Sequence, residues 1–388
     1  MTGLRLNQNL LKVPLYIGGK SIDAVKEEFG LDDVIKMASN ESPNGPSPMA
    51  LEAVQRALKD AHRYPGIGER DLRRKLAERF GEGFTEDNFV TGNGGTDILR
   101  MITQAFLFEG GNTVMCSATF PMYHILTTTY GGQNRQVPYT ADYCHDLPAM
   151  LAQIDDETRI VFLCSPNNPT GTIVTQSQLD DFLAKVPDHI PVVLDESYNR
   201  YVDAEDYADS SEYIRAGKNI IVVRSFSKTA GLANLRVGYL AAPLEISNYV
   251  RHAQMPFHTS DIVLAAAMAS MDDDEFHEYN RKTILAGRAF LRDSLRALGL
   301  TCLDSHMNSV LLIDPPIPPA ELEAAMMRRG VIIRHTAGFG IPNGVRITVA
   351  TPEENAIFIA RLEIILREKL GISEGTSVES KIKLMERV

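Results

Sequence analysis

The chain has 388 residues, which at about 100–200 residues per domain makes two or three domains with a sizeable core and excludes a simple binding module. With 44% apolar and 23% charged residues, 28 Gly and 20 Pro, it is not a disordered, collagen-like or coiled-coil chain. A formal net charge of −11 argues against a nucleic-acid or anionic-membrane surface as the main partner, while leaving room for small basic pockets.

Residues 1–40 read as an arm, broken by Pro14, Gly18 and Gly19 and followed by a short helical pattern around Ile22 to Phe29. Met1 to Leu11 lacks the apolar length of a signal peptide, and no window reaches the roughly 20 apolar residues of a membrane helix. Cys116, Cys144, Cys164 and Cys302 lie far apart with no Cys-x-x-Cys, as expected of reduced thiols. Together these features predict a soluble protein of the cytoplasm. From Asn40 to Pro48 the chain is turn chemistry, after which Leu51, Val54, Ala57 and Leu58 repeat at helical spacing.

Between Phe89 and Leu240, β-rich runs at Phe89–Thr91, Thr113–Cys116, Ile160–Cys164, Val192–Leu194 and Ile220–Val223 alternate with helical spacing such as Ile98–Phe108 and Leu179–Val186. The alternation predicts α/β architecture, and runs apolar on both faces suit a mostly parallel sheet covered by helices on both sides. Ligands then bind outside the carboxyl ends of the strands. Beyond about residue 270 the pattern changes to a long helix (Glu275–Leu298), a β run (Val310–Ile313), a helix (Pro319–Arg329), two β runs (Val331–Ile333 and Val345–Val349) and a last helix (Pro352–Leu370). This predicts a smaller α+β domain, with residues 371–388 as a patternless tail.

Chemically distinct polar residues stand where the strands end. Gly92-Asn93-Gly94-Gly95-Thr96-Asp97 leaves a strand and opens a helix, so the N–H groups of Gly95 and Thr96 and the Thr96 hydroxyl could hold a phosphate. It lacks the full Gly-x-Gly-x-x-Gly, and Pro14 stands where a P-loop ending in Gly19-Lys20-Ser21 needs its first glycine. Ser165-Pro166-Asn167-Asn168-Pro169-Thr170-Gly171 is either a rigid turn presenting an Asn amide or a plain Asn-Pro turn. Asp195, in Asp195-Glu196-Ser197-Tyr198, leaves the sheet interior, where an unpaired carboxylate is costly, so something cationic should face it. Ser225-Phe226-Ser227-Lys228 and Arg236 complete the series. A lone lysine is usually a solvated surface cation, but a whole set at the ends of one sheet points to a site.

That set resembles the fold-type I pyridoxal-phosphate (PLP) enzymes, and within them the histidinol-phosphate aminotransferase-like branch. The resemblance runs over nearly the whole chain, through the 14–20 segment, Asn40 to Pro48, Arg63-Tyr64-Pro65, Gly92-Asn93-Gly94, Asn167 to Gly171, Ser225 to Lys228 and Gly344 to Thr348. It implies a fold-type I α/β architecture with a large PLP-binding α/β/α domain at 45–268, a smaller α+β domain at 269–370, an arm at 1–44 shared with the small domain and a dimer contact, and a tail at 371–388.

By the same resemblance Lys228 forms the Schiff base with pyridoxal 5'-phosphate and moves the proton. Asp195 pairs with the ring nitrogen, Tyr198 and Asn168 hydrogen-bond the phenolic oxygen, and Phe120 stacks on the ring. Gly95, Thr96, Ser225, Ser227 and Arg236 hold the phosphate. Tyr64 reaches the cofactor phosphate of a second subunit, which implies a homodimer. Arg346 clamps a substrate carboxylate, Arg334 lies near a distal phosphate, and Tyr16 and Asn40 line the substrate side. The implied activity is amino transfer between a histidinol phosphate-like donor and a 2-oxo acid such as 2-oxoglutarate. An aromatic or specialised amino-acid aminotransferase and a decarboxylase of the threonine-phosphate type are the alternatives, and a PLP-sensing regulator is disfavoured by the lack of a basic recognition helix.

Ser42 and Gly95-Thr96 depart from the residues usual in relatives, as does His258-Thr259-Ser260, a stretch expected to approach the site. The nine histidines show no metal-ligand spacing, so no metal is expected; His258 and His335 are the two of interest.

Overall fold

A computed structural model describes residues 5–13, 18–66, 68–108, 110–373 and 375–385. The strands are β1 (Ile35–Lys36), β2 (Phe89–Gly92), β3 (Asn112–Cys116), β4 (Gln133–Val137), β5 (Thr158–Cys164), β6 (Val192–Asp195), β7 (Ile220–Ser225), β8 (Gly238–Ala241), β9 (Thr301–Cys302), β10 (Ser309–Ile313), β11 (Val331–Ile332), β12 (Arg334–His335) and β13 (Gly344–Thr348). Seven of them form one sheet in the order β2-β8-β7-β6-β5-β3-β4. From β7 to β4 all neighbours are parallel; β8 alone runs against the rest.

Both faces of this sheet are covered, which the period of two along each strand makes visible. Val161 and Leu163, Val192 and Leu194, Ile220 and Val222 enter one core, whereas Ile160 and Phe162, Val193, Ile221 and Val223 enter the other. Each such side chain removed from water contributes about 1.5–3 kcal/mol, so sliding a strand by one residue would exchange the two sets at once.

A third core lies around the antiparallel sheet β12-β13-β10-β9 and the helices Asp274–Ala297 and Pro352–Leu370. The last of these has a complete set of end signals: a Thr351/Glu354 capping box, Pro352 in the first turn and Gly371 in the left-handed conformation beyond it. The arm belongs to this core as well. Ile35 and Lys36 pair in parallel with Val331 and Ile332, and the Met37 carbonyl accepts from the Thr348 amide at 2.8 Å.

The structure adds an edge strand and corrects one expectation. The β4 edge strand, Gln-Asn-Arg-Gln-Val, is polar and carries no apolar run to signal it. The tail carries the helix Val378–Met385, whose Val378 and Ile382 are buried in the third core.

Gly231 fixes how the Lys228 loop meets the arm. It has φ +68°, and a Cβ there would lie 2.1 Å from the Gly45 carbonyl oxygen. Gly231→Ala is expected to cost at least about 2 kcal/mol, because the left-handed backbone penalty adds to a clash with main chain. Denaturant unfolding checks this; an unchanged midpoint would show that the close approach does not exist.

Candidate active site

The carboxyl ends of β2, β3, β5, β6 and β7 lie along one edge of the large sheet, and a cavity of about 230 Å³ opens there. It is walled by residues from three sources: strand-end loops of the large sheet, the arm at Gly19 and Ala38–Asn40, and Arg334, Phe339 and Arg346 of the small sheet. Of the residues anticipated from sequence, Gly95, Thr96, Phe120, Asn168, Asp195, Tyr198, Ser225, Ser227, Lys228, Arg236, Arg334, Arg346 and Asn40 all line it.

Asp195 ends β6 and is 5% exposed. Among the described residues its oxygens meet neutral donors. Tyr123 donates its hydroxyl to Oδ2 at 2.9 Å, and Ser197 donates its amide and hydroxyl to Oδ1 at 3.1 and 2.7 Å. Burial raises the Asp195 pKa, and these bonds together with the charge of Lys228 act the other way. Tyr123 and Ser197 were missed as site residues, since a buried Tyr in a helix reads as core. Tyr123 is indeed stacked on Phe162 at 4.8 Å and set edge-on to Phe120 at 5.8 Å, so packing aims its hydroxyl.

The Lys228 amine donates to the Ser39 carbonyl at 3.2 Å and lies 5.7 Å from the Tyr198 ring centroid. Burial, then the charges of Arg346 and Arg236, bring its pKa down to about 8, with Glu41 and Asp195 opposing. About a tenth of the amine is therefore unprotonated and nucleophilic at pH 7, against far less for an ordinary lysine.

At the other end of the cavity, Gly94 turns the chain with φ +83° into the helix Gly95–Phe106, and the Arg236 guanidinium packs on this turn so closely that a Cβ on Gly94 would lie 2.4 Å from Nη2. Arg236 itself holds a left-handed φ of +56°. First-turn N–H groups without intrahelical partners, the Thr96, Ser225 and Ser227 hydroxyls and one guanidinium make a donor-rich seat, the chemistry of an oxyanion site.

On the open side, Arg334 and Arg346 are direct cross-strand partners on β12 and β13. Like charges so placed repel. Arg346 is 4% exposed and held by Asn168 Oδ1 at 2.6 Å, the Ala38 carbonyl at 2.5 Å and the Phe339 ring at 5.0 Å. The Tyr198 hydroxyl accepts from Asn40 Nδ2 at 3.1 Å, and burial pushes its pKa up to about 12.

Some anticipated residues stand elsewhere. Tyr16 lies outside the described residues. Tyr64 is 80% exposed, outside this cavity, with its ring 4.7 Å from Phe257. The 258–260 stretch does not reach the cavity of its own chain: His258 is bound to Gln254 at 3.1 Å and to the Met255 carbonyl at 3.2 Å. His335 pairs with Glu323. Among the described residues no cluster could hold a metal ion, and the four cysteines are free.

Two measurements test this electrostatic picture. Tyr123→Phe removes one of three donors to Asp195 and is expected to raise the pKa of that carboxyl further, read by carboxyl NMR in the cofactor-free protein; an unmoved titration would discount the bond. For Lys228 the folded pKa lies below its ordinary value of 10.5. Its charge therefore costs stability in full below about pH 8, and the cost fades as the pH rises from there towards 10.5. Lys228→Met should thus stabilise the cofactor-free protein by about 2–3 kcal/mol at neutral pH, with a gain that shrinks in alkali. A gain independent of pH would contradict the cause.

Comparison with known proteins agrees with this geometry. The family described as aminotransferase class I and II matches residues 32–362. Histidinol-phosphate aminotransferase 2 of Pseudomonas aeruginosa is 39% identical over 357 residues, covering 92% of this chain and 96% of that one. Histidinol-phosphate aminotransferase of Bacillus subtilis is 39% identical over 363 residues, covering 94% and 100%. Among solved structures, histidinol-phosphate aminotransferase from Sinorhizobium meliloti in complex with pyridoxal-5'-phosphate superposes with a TM-score of 0.85 at 25% identity, covering 95% of this chain and 99% of that chain. With its large mostly parallel sheet, its strand-end cavity and this breadth of match, the chain belongs to the class I and II aminotransferases.

Proposed function

We propose that this protein is a PLP-dependent aminotransferase that moves an amino group between a histidinol phosphate-like amine and a 2-oxo acid such as 2-oxoglutarate. The observation that carries the reading is one cavity holding a lysine amine whose pKa burial brings down to about 8, a buried carboxylate held by three neutral donors, and a donor-rich seat at a helix start. These three fit the aldehyde, the ring nitrogen and the phosphate of PLP in turn. Arg236 seated against the Gly94 turn, where no Cβ fits, supports the phosphate end in particular.

When bound, PLP supplies a cationic conjugated ring that takes up the electron pair left on the substrate carbon beside the nitrogen. The chain supplies the rest. Lys228 anchors the cofactor and then, as a free amine, carries the proton to and from that carbon. Asp195 keeps the ring nitrogen protonated, a task that needs the carboxylate ionised, which is what Tyr123 and Ser197 favour. Phe120 covers one ring face. No described residue accepts the Tyr198 hydroxyl proton, so it and Asn168 are available to the phenolic oxygen. Arg346 takes the carboxylate of the oxo acid, and Arg334 takes the distal anionic group, phosphate on one substrate and carboxylate on the other. Two facing guanidiniums support a pair of anionic substrates over neutral ones.

The large sheet with its two cores is read as a domain at 45–268 and the third core as a domain at 269–370, with the arm and tail joined to the latter. A homodimer fits the exposed Tyr64, Met255 and Phe257, which would present Tyr64 to a second copy's phosphate seat. No helix among the described residues is long and apolar enough to cross a membrane, and the four free cysteines support a cytoplasmic enzyme.

Borohydride reduction in the presence of PLP should fix the cofactor mass on the peptide containing Lys228, and Lys228→Ala should lose at least about 10²–10⁴-fold in turnover. Mass on another lysine peptide refutes the assignment. A panel of amino donors with 2-oxoglutarate, read by product mass spectrometry, should show an oxo product and glutamate; carbon dioxide release in their place would make the protein a decarboxylase.

A further inference from the structure

A second cavity, of about 250 Å³, shares Ser225 with the first but opens between the large sheet and the start of the helix Asp274–Ala297. Its walls include Arg79, Arg200, Arg224 and His277, together with Thr229, the residue after Lys228. Three guanidiniums around one small space repel each other unless carboxylates balance them.

The carboxylates nearby are largely taken. Glu196 is bound by Arg224 Nε at 2.9 Å and Nη2 at 2.8 Å and also accepts from Ser210 Oγ at 3.0 Å. Asp272 is bound by Lys75 and lies 3.6 Å from Arg79, and Asp274, 3.8 Å from Arg79, is largely exposed. Arg200 is left over: exposed at the rim, it forms no ion pair among the described residues, and it lines both this cavity and the adjoining cleft beside Asp274, Glu278 and Arg281. The surrounding protein lowers its pKa, and Arg224 and Arg79 add to that effect, while the Tyr239 hydroxyl and Asp274 oppose it. His277 donates from Nε2 to the Ser270 carbonyl at 2.8 Å, and burial followed by the charge of Arg200 lowers its pKa. Arg224 is thus balanced by Glu196 and Arg79 in part by Asp272 and Asp274, while Arg200 is the one of the three with no carboxylate in contact among the described residues.

We propose that this cavity is a second oxyanion site, one that takes a phosphate group, free or on a small ester, with Arg200 as its principal ligand and Arg79 and Arg224 as flanking charges. Three arginines and Thr229 around one small space, with Arg200 free of a carboxylate, suit a tetrahedral ion with several acceptor oxygens better than a single carboxylate. The site does not depend on the function proposed above. It does give that function a point of control, because Ser225 and Thr229 flank Lys228 in sequence and line its walls, and any ligand there that favours one arrangement of the loop is coupled to the first cavity by linkage.

The test is calorimetric titration of inorganic phosphate into the full chain at constant ionic strength, with PLP present to occupy the phosphate seat of the first cavity. In the Arg334→Gln background, which removes the distal-phosphate arginine of the first cavity, one saturable event is expected, weakened at least about tenfold by adding Arg200→Gln or Arg79→Gln. Glycerol phosphate in place of inorganic phosphate distinguishes an ester ligand, which binds more tightly, from free phosphate, which does not. Arg200→Lys, which keeps the charge and loses the fork, guards against a folding defect and should weaken binding by a smaller factor. No saturable binding at millimolar phosphate in that background overturns the proposal, as does binding that survives both Arg200 variants.

Discussion

A carboxylate taken out of water at the end of a central strand is the constraint around which this molecule is arranged. Asp195 is ionised only if its surroundings replace the hydration it has lost, and they do so with three neutral donors in contact and positive charge at longer range. Neutral donors hold a carboxylate without using up its charge. A contacting arginine would have done the opposite, tying Asp195 into a closed ion pair and leaving nothing to act on a ligand.

The same economy applies to the cations. The chain carries a formal net charge of −11, yet its strand-end cavity gathers Lys228, Arg236, Arg334 and Arg346. That inversion of sign depends on both sheets. Lys228 and Arg236 come from either side of the β7–β8 connection, whereas Arg334 and Arg346 stand opposite each other on β12 and β13. Arg346 in turn rests on Asn168, a residue of the β5 loop, so the small sheet is bonded to the large one through the site itself. The lowered pKa of Lys228 follows from the same crowding of positive charge in a place shielded from water.

Much of this was legible in the chain. The central strands announced themselves because residues such as Ile160 to Leu163 are apolar on both faces, and the helix Pro352–Leu370 matched its predicted ends because capping box, proline and glycine all mark them. The site residues at strand ends were legible because polar residues interrupt apolar runs there. Tyr123 was not, since a hydrogen bond to a residue 72 positions away leaves no local pattern. The edge strand β4 needs only one neighbour and carries polar residues, so periodicity is silent about it. Val378 and Ile382 supply too short an apolar stripe to signal the tail helix before their partners in the third core are known. Arg200 carries no local signal either, because what distinguishes it is the two other arginines that the fold brings beside it.

The arm shows why the remaining geometry could not be read locally. Asn40 has φ +52°, a left-handed conformation that costs a residue with a side chain about 1–2 kcal/mol. Four buried bonds hold it there: its amide donates to Thr348 Oγ1, its Oδ1 accepts from the same hydroxyl, its Nδ2 donates to Tyr198 and its carbonyl accepts from Asn308. Those partners lie on the small sheet and just beyond the end of β6, so the strain is offset only when both are in place. Two residues earlier the Ala38 carbonyl supports Arg346. One turn of backbone thus sets the Tyr198 hydroxyl and the Arg346 guanidinium relative to each other, and it can do so only in the folded chain, where its outlying conformation is the lowest in energy.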